Sequence, residues 1–136
     1  MDLSLIALIT LYATTHGVDP NVAVSIAKVE SNFNMKAVGT KGERGIYQLL
    51  PKAFPQYTVK ELSQLEKNVE IGVKHLAYSN KRCSHKSNLD WVICYNRGVK
   101  GGSRVQNPSK DNYVRKVKTE YAKVKKRKQT IVAQFN

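Results

Sequence analysis

The spacing of apolar residues constrains the fold of this chain most, because it is helical along almost the whole sequence. Asp19-Pro20 is a strong helix start, with Asp19 as the N-cap and proline at the first helical position. Val22, Ile26 and Val29 then recur at helical intervals. The alternation typical of strands is not sustained anywhere, so the pattern predicts an all-α fold.

The apolar segment from Leu3 to Tyr12 is interpreted as the first helix of the fold rather than as a signal peptide. Its first charge is Asp2 instead of a basic residue, and no small-residue cleavage site follows it. Capping and proline patterns mark further helix starts: Pro51, Thr58 with Glu61, Ser87 or Asn88, and Asn107-Pro108. Ser87 or Asn88 is expected to cap a short apolar helix from Leu89 to Tyr95, which Gly98 ends.

The segments between and after these helices predict the domain organisation. Residues 32–45 contain three glycines among polar residues, which indicates a loop, and a small β-hairpin fits within residues 39–50. We expect one domain over residues 1–128, followed by a loose C-terminal tail over 129–136. With 41% hydrophobic and 24% charged residues, the composition is that of a globular protein and excludes wholesale disorder.

The net charge of +13 is concentrated in the second half of the chain. Residues 1–68 carry 7 basic and 6 acidic side chains, whereas residues 69–136 carry 16 basic and 4 acidic ones. This asymmetry favours an anionic partner, which could be nucleic acid, a membrane surface or an acidic wall polymer. No nucleic-acid motif accompanies the basic helix over 113–128, so capture of an anionic cell envelope is the preferred interpretation.

Two cysteines, Cys83 and Cys94, are too few for a four-ligand metal pattern. The simplest expectation is two reduced thiols, of which at least one is buried. A disulfide between them would require an oxidising compartment. No cluster of metal-binding side chains is present in the sequence, so we expect neither a metal nor a cofactor.

Glu30 is the candidate acid, because it stands at the end of an apolar helix. The C-terminus of a helix disfavours a nearby negative charge, and the apolar neighbours Val29 and Phe33 would add desolvation. Both effects raise the pKa of a carboxyl group, and a carboxylic acid still protonated near neutrality can donate its proton to a leaving oxygen. The alternative is a solvated glutamate at a helix end.

Four motifs in order resemble those of the soluble lytic transglycosylase family of the lysozyme-like superfamily. They lie roughly between residues 18 and 121: Glu30-Ser31 with Phe33-Asn34; Gly45-Ile46-Tyr47-Gln48-Leu49-Leu50-Pro51; Asn68-Val69 with Gly72 and Leu76; and Tyr95-Asn96-Arg97-Gly98 followed by Tyr113-Val114. The resemblance implies a compact helical lysozyme-like domain that acts on the glycan strands of peptidoglycan, and we expect a monomer.

The resemblance also implies a mechanism with one protein acid. Glu30 would protonate the bond between N-acetylmuramic acid and N-acetylglucosamine, and would then act as the base on the muramic acid C6 hydroxyl, closing a 1,6-anhydro ring. The N-acetyl group of the substrate would stabilise the positive charge. The implied substrate-binding residues are Ser31, Gly39, Tyr47, Gln48, His75, Tyr95 and Asn96. Of these, Gln48 and Asn96 would bond sugar or loop backbone, and Tyr47 would line the groove.

Three positions depart from the family pattern. Gly39 stands where many members carry serine, so the resemblance implies that the contact of that serine to the acid or the N-acetyl group is missing. His75 stands where a tyrosine is frequent, and Ser109 stands where relatives often carry a carboxylate before the last helix. If His75 lines the cleft, it could add a charge that varies near neutral pH; the alternative is a histidine packed on its helix.

Hydrolysis, the runner-up reaction, needs a second carboxylate, and Glu43 is the nearest candidate. Glu43 beside Arg44 is most simply a solvated pair, so a single-acid lyase is preferred over a goose-type hydrolase. A basic binding module without catalysis is the alternative of another class. The absence of a recognised signal peptide would suit a bacteriophage lysin or virion enzyme that acts on the bacterial wall from the periplasm or the extracellular side. A bacterial protein that is exported with a secretion apparatus is the other option.

Overall fold

A computed structural model describes residues 3–86 and 88–135, with the side chain of Phe135 left out. The helices within these residues are α1 (Leu3–Thr15), α2 (Pro20–Ser31), α3 (Val59–Ser63), α4 (Leu65–Arg82), α5 (Val92–Ser103) and α6 (Asn112–Phe135), with 3-10 turns at Pro51–Ala53 and Pro108–Lys110. β-Pairing in this part of the chain is limited to isolated antiparallel bridges, Val38 with Arg44 and Arg44 with Leu49. The all-α prediction is confirmed, and the expected hairpin is reduced to these bridges.

Helix α2 is packed between α1 and α6 and carries Glu30 in its last turn. It starts as predicted, because the Asp19 side chain accepts a hydrogen bond of 2.8 Å from the backbone N–H of Asn21. Its apolar face is buried in the core, with Val22 and Ile26 almost fully excluded from solvent. The helix ends at Asn32, whose left-handed backbone (φ 53°) turns the chain into the following loop.

Helix α1 belongs to the core, as predicted. Ile9 and Ala13 are fully buried, and the helix packs against both α2 and α4. Helix α3 begins with the predicted capping box, in which Thr58 and Glu61 exchange side chain–backbone hydrogen bonds. No helix of the described residues is long and apolar enough to cross a bilayer.

Helix α4 buries Val69, Val73 and Leu76, the stripe predicted for it. Gly72 lies on the same helix, directly against the ring of Tyr47, so that a side chain at position 72 would collide with that ring. Glycine is therefore required there for the loop that carries Tyr47 to approach the helix closely.

The expectation of reduced thiols is wrong, because a disulfide joins Cys83 to Cys94. Cys83 follows α4 and Cys94 lies in the first turn of α5, and both are fully buried. The two helices pack against each other, which brings together cysteines that are 11 residues apart in sequence. The cross-link thus ties α4 to α5.

Helix α5 differs from its prediction at both ends. It begins at Val92 instead of Leu89, and the predicted cap Asn88 has a left-handed backbone (φ 53°), while the other candidate cap, Ser87, lies outside the described residues. Gly98 breaks the helical geometry (φ 81°, ψ 157°), as expected of a stop, yet the chain then resumes a helical turn up to Ser103.

Helix α6 begins later and ends later than predicted. Asn107-Pro108 opens a 3-10 turn, and Asp111 then caps the helix by accepting a hydrogen bond of 3.1 Å from the Val114 N–H. The helix continues through Phe135, so residues 129–135 are helical, and the expectation that they form a loose tail stays a prediction. The segment is exposed and contains neither glycine nor proline, so it has no residue that would stop the helix.

Candidate active site

Glu30 lies in the last turn of α2, half-buried, with its carboxylate facing α6. The hydroxyl of Tyr113, in the first turn of α6, donates a hydrogen bond of 2.8 Å to Glu30 Oε2. Burial raises the pKa of Glu30 from 4.5 to about 7, against the lowering effect of the Tyr113 hydrogen bond and with a further rise from the charge of Glu43. The carboxyl group can therefore hold a proton near neutral pH.

Two tyrosines, Tyr95 buried and Tyr113 partly buried, lie beside this carboxyl group. Burial and the charge of Glu30 raise the pKa values of Tyr95 and Tyr113 well above the usual range, so both remain neutral hydrogen-bond donors. The Tyr95 hydroxyl donates to the Tyr47 carbonyl at 2.9 Å. Helices α5 and α6 thus each supply one hydroxyl to the site, and the α5 hydroxyl fixes the backbone of the loop beside Glu30.

Asn68 on α4 holds that loop from the other side. Its Nδ2 donates to the carbonyls of Arg44 and Leu62 at 2.8 and 2.7 Å, and its Oδ1 accepts from the Tyr47 N–H at 2.9 Å. Gly45 has a positive φ of 75° and lies so close to the Asn68 amide that a Cβ would be 2.5 Å from Nδ2. One buried amide therefore positions the turn that precedes Gln48.

Gln48 uses its side-chain amide within its own loop. Its Nε2 donates to the carbonyls of Gly45 and Ala37 at 2.9 and 3.3 Å. Gln48 itself has a left-handed backbone (φ 49°), so this loop conformation is strained for a residue with a side chain. Of the two roles expected for Gln48, the structure shows the bonds to loop backbone.

Tyr47 does not line a groove, which corrects the sequence-based expectation. Its side chain is fully buried, its ring packs on Gly72, and its hydroxyl donates to the Ala23 carbonyl at 2.7 Å. The side chain is a core element that anchors the loop to α2 and α4. Its backbone carbonyl, bonded by Tyr95, is what it contributes to the site.

His75 packs among aromatic rings, as expected from the alternative interpretation of a histidine packed on its helix. Its ring centroid lies 5.1 Å from that of Tyr95 and 5.4 Å from that of Phe54. Burial lowers its pKa and so favours the uncharged ring, which argues against the hypothesis of a charge that varies near neutral pH. Through Tyr95, His75 is nonetheless a neighbour of the site.

Two further candidates lie at the edge of the site. Ser31 directs its hydroxyl back along α2 and donates to the Ala27 carbonyl at 3.2 Å. Asn96 follows Tyr95 on α5 and is exposed to solvent. Neither residue has a contact with Glu30 among those described, so their contribution to substrate binding remains a prediction.

Gly39 leaves space for the carboxylate of Glu43, which the sequence alone predicts to be solvated. A Cβ at position 39 would lie 2.6 Å from Glu43 Oε1 and 2.8 Å from Gln48 Oε1. Glu43 Oε1 also accepts a hydrogen bond of 2.7 Å from the Lys41 N–H, while Arg44 Nε donates to the Gly42 carbonyl. In the part of the chain that is described, no ion pair joins Glu43 with Arg44, so the expectation of a solvated pair is wrong.

A comparison with known protein families decides what kind of protein carries this site. The model of the family described as Transglycosylase SLT domain matches residues 7–120, which is most of the chain. The chain belongs to this family. Membership in the SLT family confirms the resemblance of the motifs, and it supports a transglycosylase-type activity on peptidoglycan in the cell wall.

The SLT match extends from α1 into α6, so it contains every residue discussed for the site. Two residues of the four motifs have roles that the sequence does not reveal. Tyr113 proves to be the hydrogen-bond donor to Glu30, and Asn68 proves to be the anchor of the loop. Across residues 3–86 and 88–135, no group of three or more histidine, cysteine or acidic side chains could hold a metal ion.

Proposed function

We propose that this SLT-family protein is a lytic transglycosylase that cleaves the bond between N-acetylmuramic acid and N-acetylglucosamine, with Glu30 as the only protein acid and base. The observation that carries the proposal is the half-buried Glu30 carboxyl, bonded by Tyr113 and with a pKa of about 7. A group with such a pKa donates and accepts protons with comparable ease near neutrality.

In the first step, protonated Glu30 transfers its proton to the glycosidic oxygen, and the bond to C1 of the muramic acid breaks. The N-acetyl oxygen of the same sugar stabilises the positive charge at C1. In the second step, the Glu30 carboxylate removes the proton from the C6 hydroxyl, whose oxygen attacks C1. The 1,6-anhydro ring closes, and Glu30 regains the proton that it donated.

Tyr113 supports both steps through its hydrogen bond to Glu30 Oε2. The bond is stronger when the carboxylate is charged, so it stabilises Glu30 after proton donation. Burial acts in the opposite direction and favours the protonated acid before the reaction. The balance of these two effects keeps the acid and base forms of Glu30 close in free energy.

Hydrolysis of the same bond is the second candidate, and Glu43 favours it. A hydrolase of the inverting kind uses a second carboxylate to activate water. Glu43 is half-buried in the loop beside Gln48, and its charge acts on Glu30. In this reaction a water molecule would take the place of the C6 hydroxyl, and a reducing sugar would result.

Digestion of purified peptidoglycan, followed by mass spectrometry of the released fragments, separates these reactions. A transglycosylase releases 1,6-anhydro fragments, which are one water lighter than the reducing fragments of a hydrolase. Glu30→Gln should abolish release, whereas Glu66→Gln, which removes a carboxylate bonded to Tyr12, should retain it. Reducing fragments alone would favour the hydrolase, and no release by the native protein would contradict both enzymatic proposals.

We also propose that the exposed part of α6 holds the protein at an anionic bacterial envelope. Lys118 pairs with Asp90 at 2.6 Å and Lys123 with Glu120 at 3.5 Å, so these two charges are partly compensated within the fold. The cationic run 125–128 is exposed, and Ile131 and Val132 follow it, each more than half exposed. Cations beside exposed apolar residues on one helix suit an anionic lipid surface.

Sedimentation with vesicles that contain anionic lipid tests this proposal. Replacing Lys125, Lys126, Arg127 and Lys128 by glutamine should reduce binding and its salt dependence, while cleavage of soluble glycan fragments remains unchanged. Equal binding to neutral vesicles, or tight binding to DNA in preference to vesicles, would contradict it. The peptidoglycan digestion and the vesicle sedimentation apply equally to a bacteriophage protein and to a bacterial one.

A further inference from the structure

A cleft lined by basic residues lies between the last turn of α2 and the first turns of α6. Its volume is about 390 Å³, which is within the range of small-ligand sites in proteins. Lys28 contributes to the cleft from α2, and Arg115 and Lys116 contribute from α6. Glu30 and Tyr113 do not line it, so the cleft is a second concave surface beside the candidate active site.

The positive charge of this cleft is only partly compensated within the fold. Among the residues that the structure describes, no ion pair reaches Lys28, Arg115 or Lys116. Glu120 also lines the cleft, but its carboxylate pairs with Lys123 at 3.5 Å. Three cations with one carboxylate give the cleft a net positive charge, and a concave surface focuses the resulting potential on an incoming anion.

Neutral hydrogen-bonding residues stand beside these cations. Asn32, Asn112 and Thr119 also line the cleft. Over residues 3–86 and 88–135, no hydrogen bond uses the side chain of any of these three. Their amides and hydroxyl can donate to an oxygen ligand, and the Arg115 guanidinium can hold both oxygens of one carboxylate. The donor set is that of a site for an oxygen anion.

We propose that this cleft binds a carboxylate of the peptides that peptidoglycan carries on its muramic acid residues. The proposal rests on the proposed cleavage at Glu30, because that reaction places a muramic acid beside the last turn of α2. Lys28 and Asn32 lie two positions before and after Glu30, so they belong to the other side of the helix. A helix with its side chains is about 10–12 Å across, and four extended residues span up to about 14 Å. A peptide on the bound sugar is therefore long enough to pass the end of α2 and reach the cleft.

The cleft differs in shape from the cationic run 125–128, to which we assign an anionic lipid surface. That run is exposed along the helix and is followed by exposed apolar side chains, which suits a flat bilayer. The cleft is concave, so a single flexible chain with a carboxylate can enter it, whereas the surface of a bilayer cannot follow its walls. Helix α6 would thus offer two cationic surfaces for two different parts of the bacterial envelope.

Calorimetric titration of the native protein with a synthetic peptidoglycan stem tetrapeptide measures this binding without cleavage. The peptide with free carboxylates should bind roughly tenfold more tightly than the same peptide with its carboxylates amidated. Replacing Arg115 and Lys116 together by glutamine should remove this preference. As the control, Lys81→Gln with Arg82→Gln removes an exposed neighbouring pair of the same two residue types from α4 and should leave the preference in place. Glutamine is a good helix former, so both double variants should keep the fold.

Cleavage kinetics provide a second readout. KM of the native protein should be lower for peptidoglycan than for glycan strands from which an amidase has removed the peptides. In the variant that lacks the Arg115 and Lys116 charges, the two KM values should become equal.

Three results of the titration would overturn the proposal. They are equal affinity of the native protein for the free-acid and the amidated peptide, an unchanged preference in the Arg115 and Lys116 variant, and tighter binding of inorganic phosphate than of the free-acid peptide. The last of these would assign the cleft to a phosphate-bearing polymer. Because the titration needs no cleavage, it succeeds or fails separately from the proposed reaction at Glu30.

Discussion

Replacing Glu30 with glutamine should stabilise the protein at neutral and alkaline pH while abolishing catalysis. The folded protein holds the Glu30 proton up to a pKa of about 7, whereas the ordinary value is 4.5. Folding therefore favours the protonated form, and the free energy of unfolding falls as the pH rises from about 4.5 to about 7. Above this range, the full cost of burying the charge is present in the native protein and absent from Glu30→Gln.

The size of the effect follows from the same two values. The difference between 4.5 and about 7 corresponds to about 3 kcal/mol, at about 1.4 kcal/mol for each pH unit. Glutamine retains an oxygen that accepts the Tyr113 hydrogen bond, so the substitution itself should cost little. For a chain of this length, about 3 kcal/mol raises the melting temperature by roughly 10 °C.

Thermal unfolding of both proteins between pH 4 and pH 9 measures this difference. The two melting temperatures should nearly coincide at the acidic end, separate progressively between about pH 4.5 and about pH 7, and differ by a constant amount above that range. Glu66→Gln, measured in parallel, reports the effect of removing one carboxylate charge from a strongly basic protein. A difference between the native protein and Glu30→Gln that is constant with pH would refute the reasoning, because it would mean that folding leaves the pKa of Glu30 unchanged.

Three further substitutions test other parts of the site. Tyr113→Phe removes the hydrogen bond that lowers the pKa of Glu30, so the upper pH limit of cleavage should move to higher pH, and an unmoved limit would contradict this role. Gly72→Ala places a methyl group against the Tyr47 ring and should lower the free energy of unfolding by about 1–3 kcal/mol in urea titrations; an unaffected stability would show that the packing is loose. Replacing both Cys83 and Cys94 by serine opens a short cross-linked loop and should destabilise by about 3 kcal/mol, and native protein treated with a reductant should match the variant.

Local signals in the sequence are sufficient to predict the starts of α2 and α3. Asp19 and Thr58 each cap a helix through bonds within three residues, so their effect can be predicted from sequence alone. The ends of α5 and α6 are predicted less well. Gly98 does break the helix, but whether a further turn forms after a break depends on contacts with the rest of the fold.

The environment of individual site residues depends on partners distant in sequence. The Tyr47 side chain is part of the core because Gly72, on the distant helix α4, leaves space for its ring, and no pattern around residue 47 indicates this contact. The disulfide likewise depends on how α4 and α5 pack, which the spacing of Cys83 and Cys94 does not determine. Such contacts are tertiary, and apolar periodicity contains no information about which surfaces meet.

Glu43 shows how a departure from a family pattern can be informative. The glycine at position 39, where serine is frequent, suggests a lost contact when the sequence is considered alone. The structure shows that the vacated space is occupied by the carboxylate four residues later. When the side chain usual in a family is missing and a charged residue follows nearby in the same loop, the charged side chain can fill the vacated space. The contact is then replaced by another one rather than lost.

The three hydrogen bonds of Asn68 have a consequence for engineering this loop. Two of them fix residues 44 and 47, just past the tip of the loop, from a helix outside the loop. Thr40 and Lys41 are exposed, and the space around Gly42 is open. A short peptide inserted between Thr40 and Lys41 would extend into solvent, and Asn68 would keep residues 44 and 47 in place even where the bond from the Lys41 N–H to Glu43 is lost. This tip is therefore a suitable position for grafting a wall-binding segment next to the proposed active site.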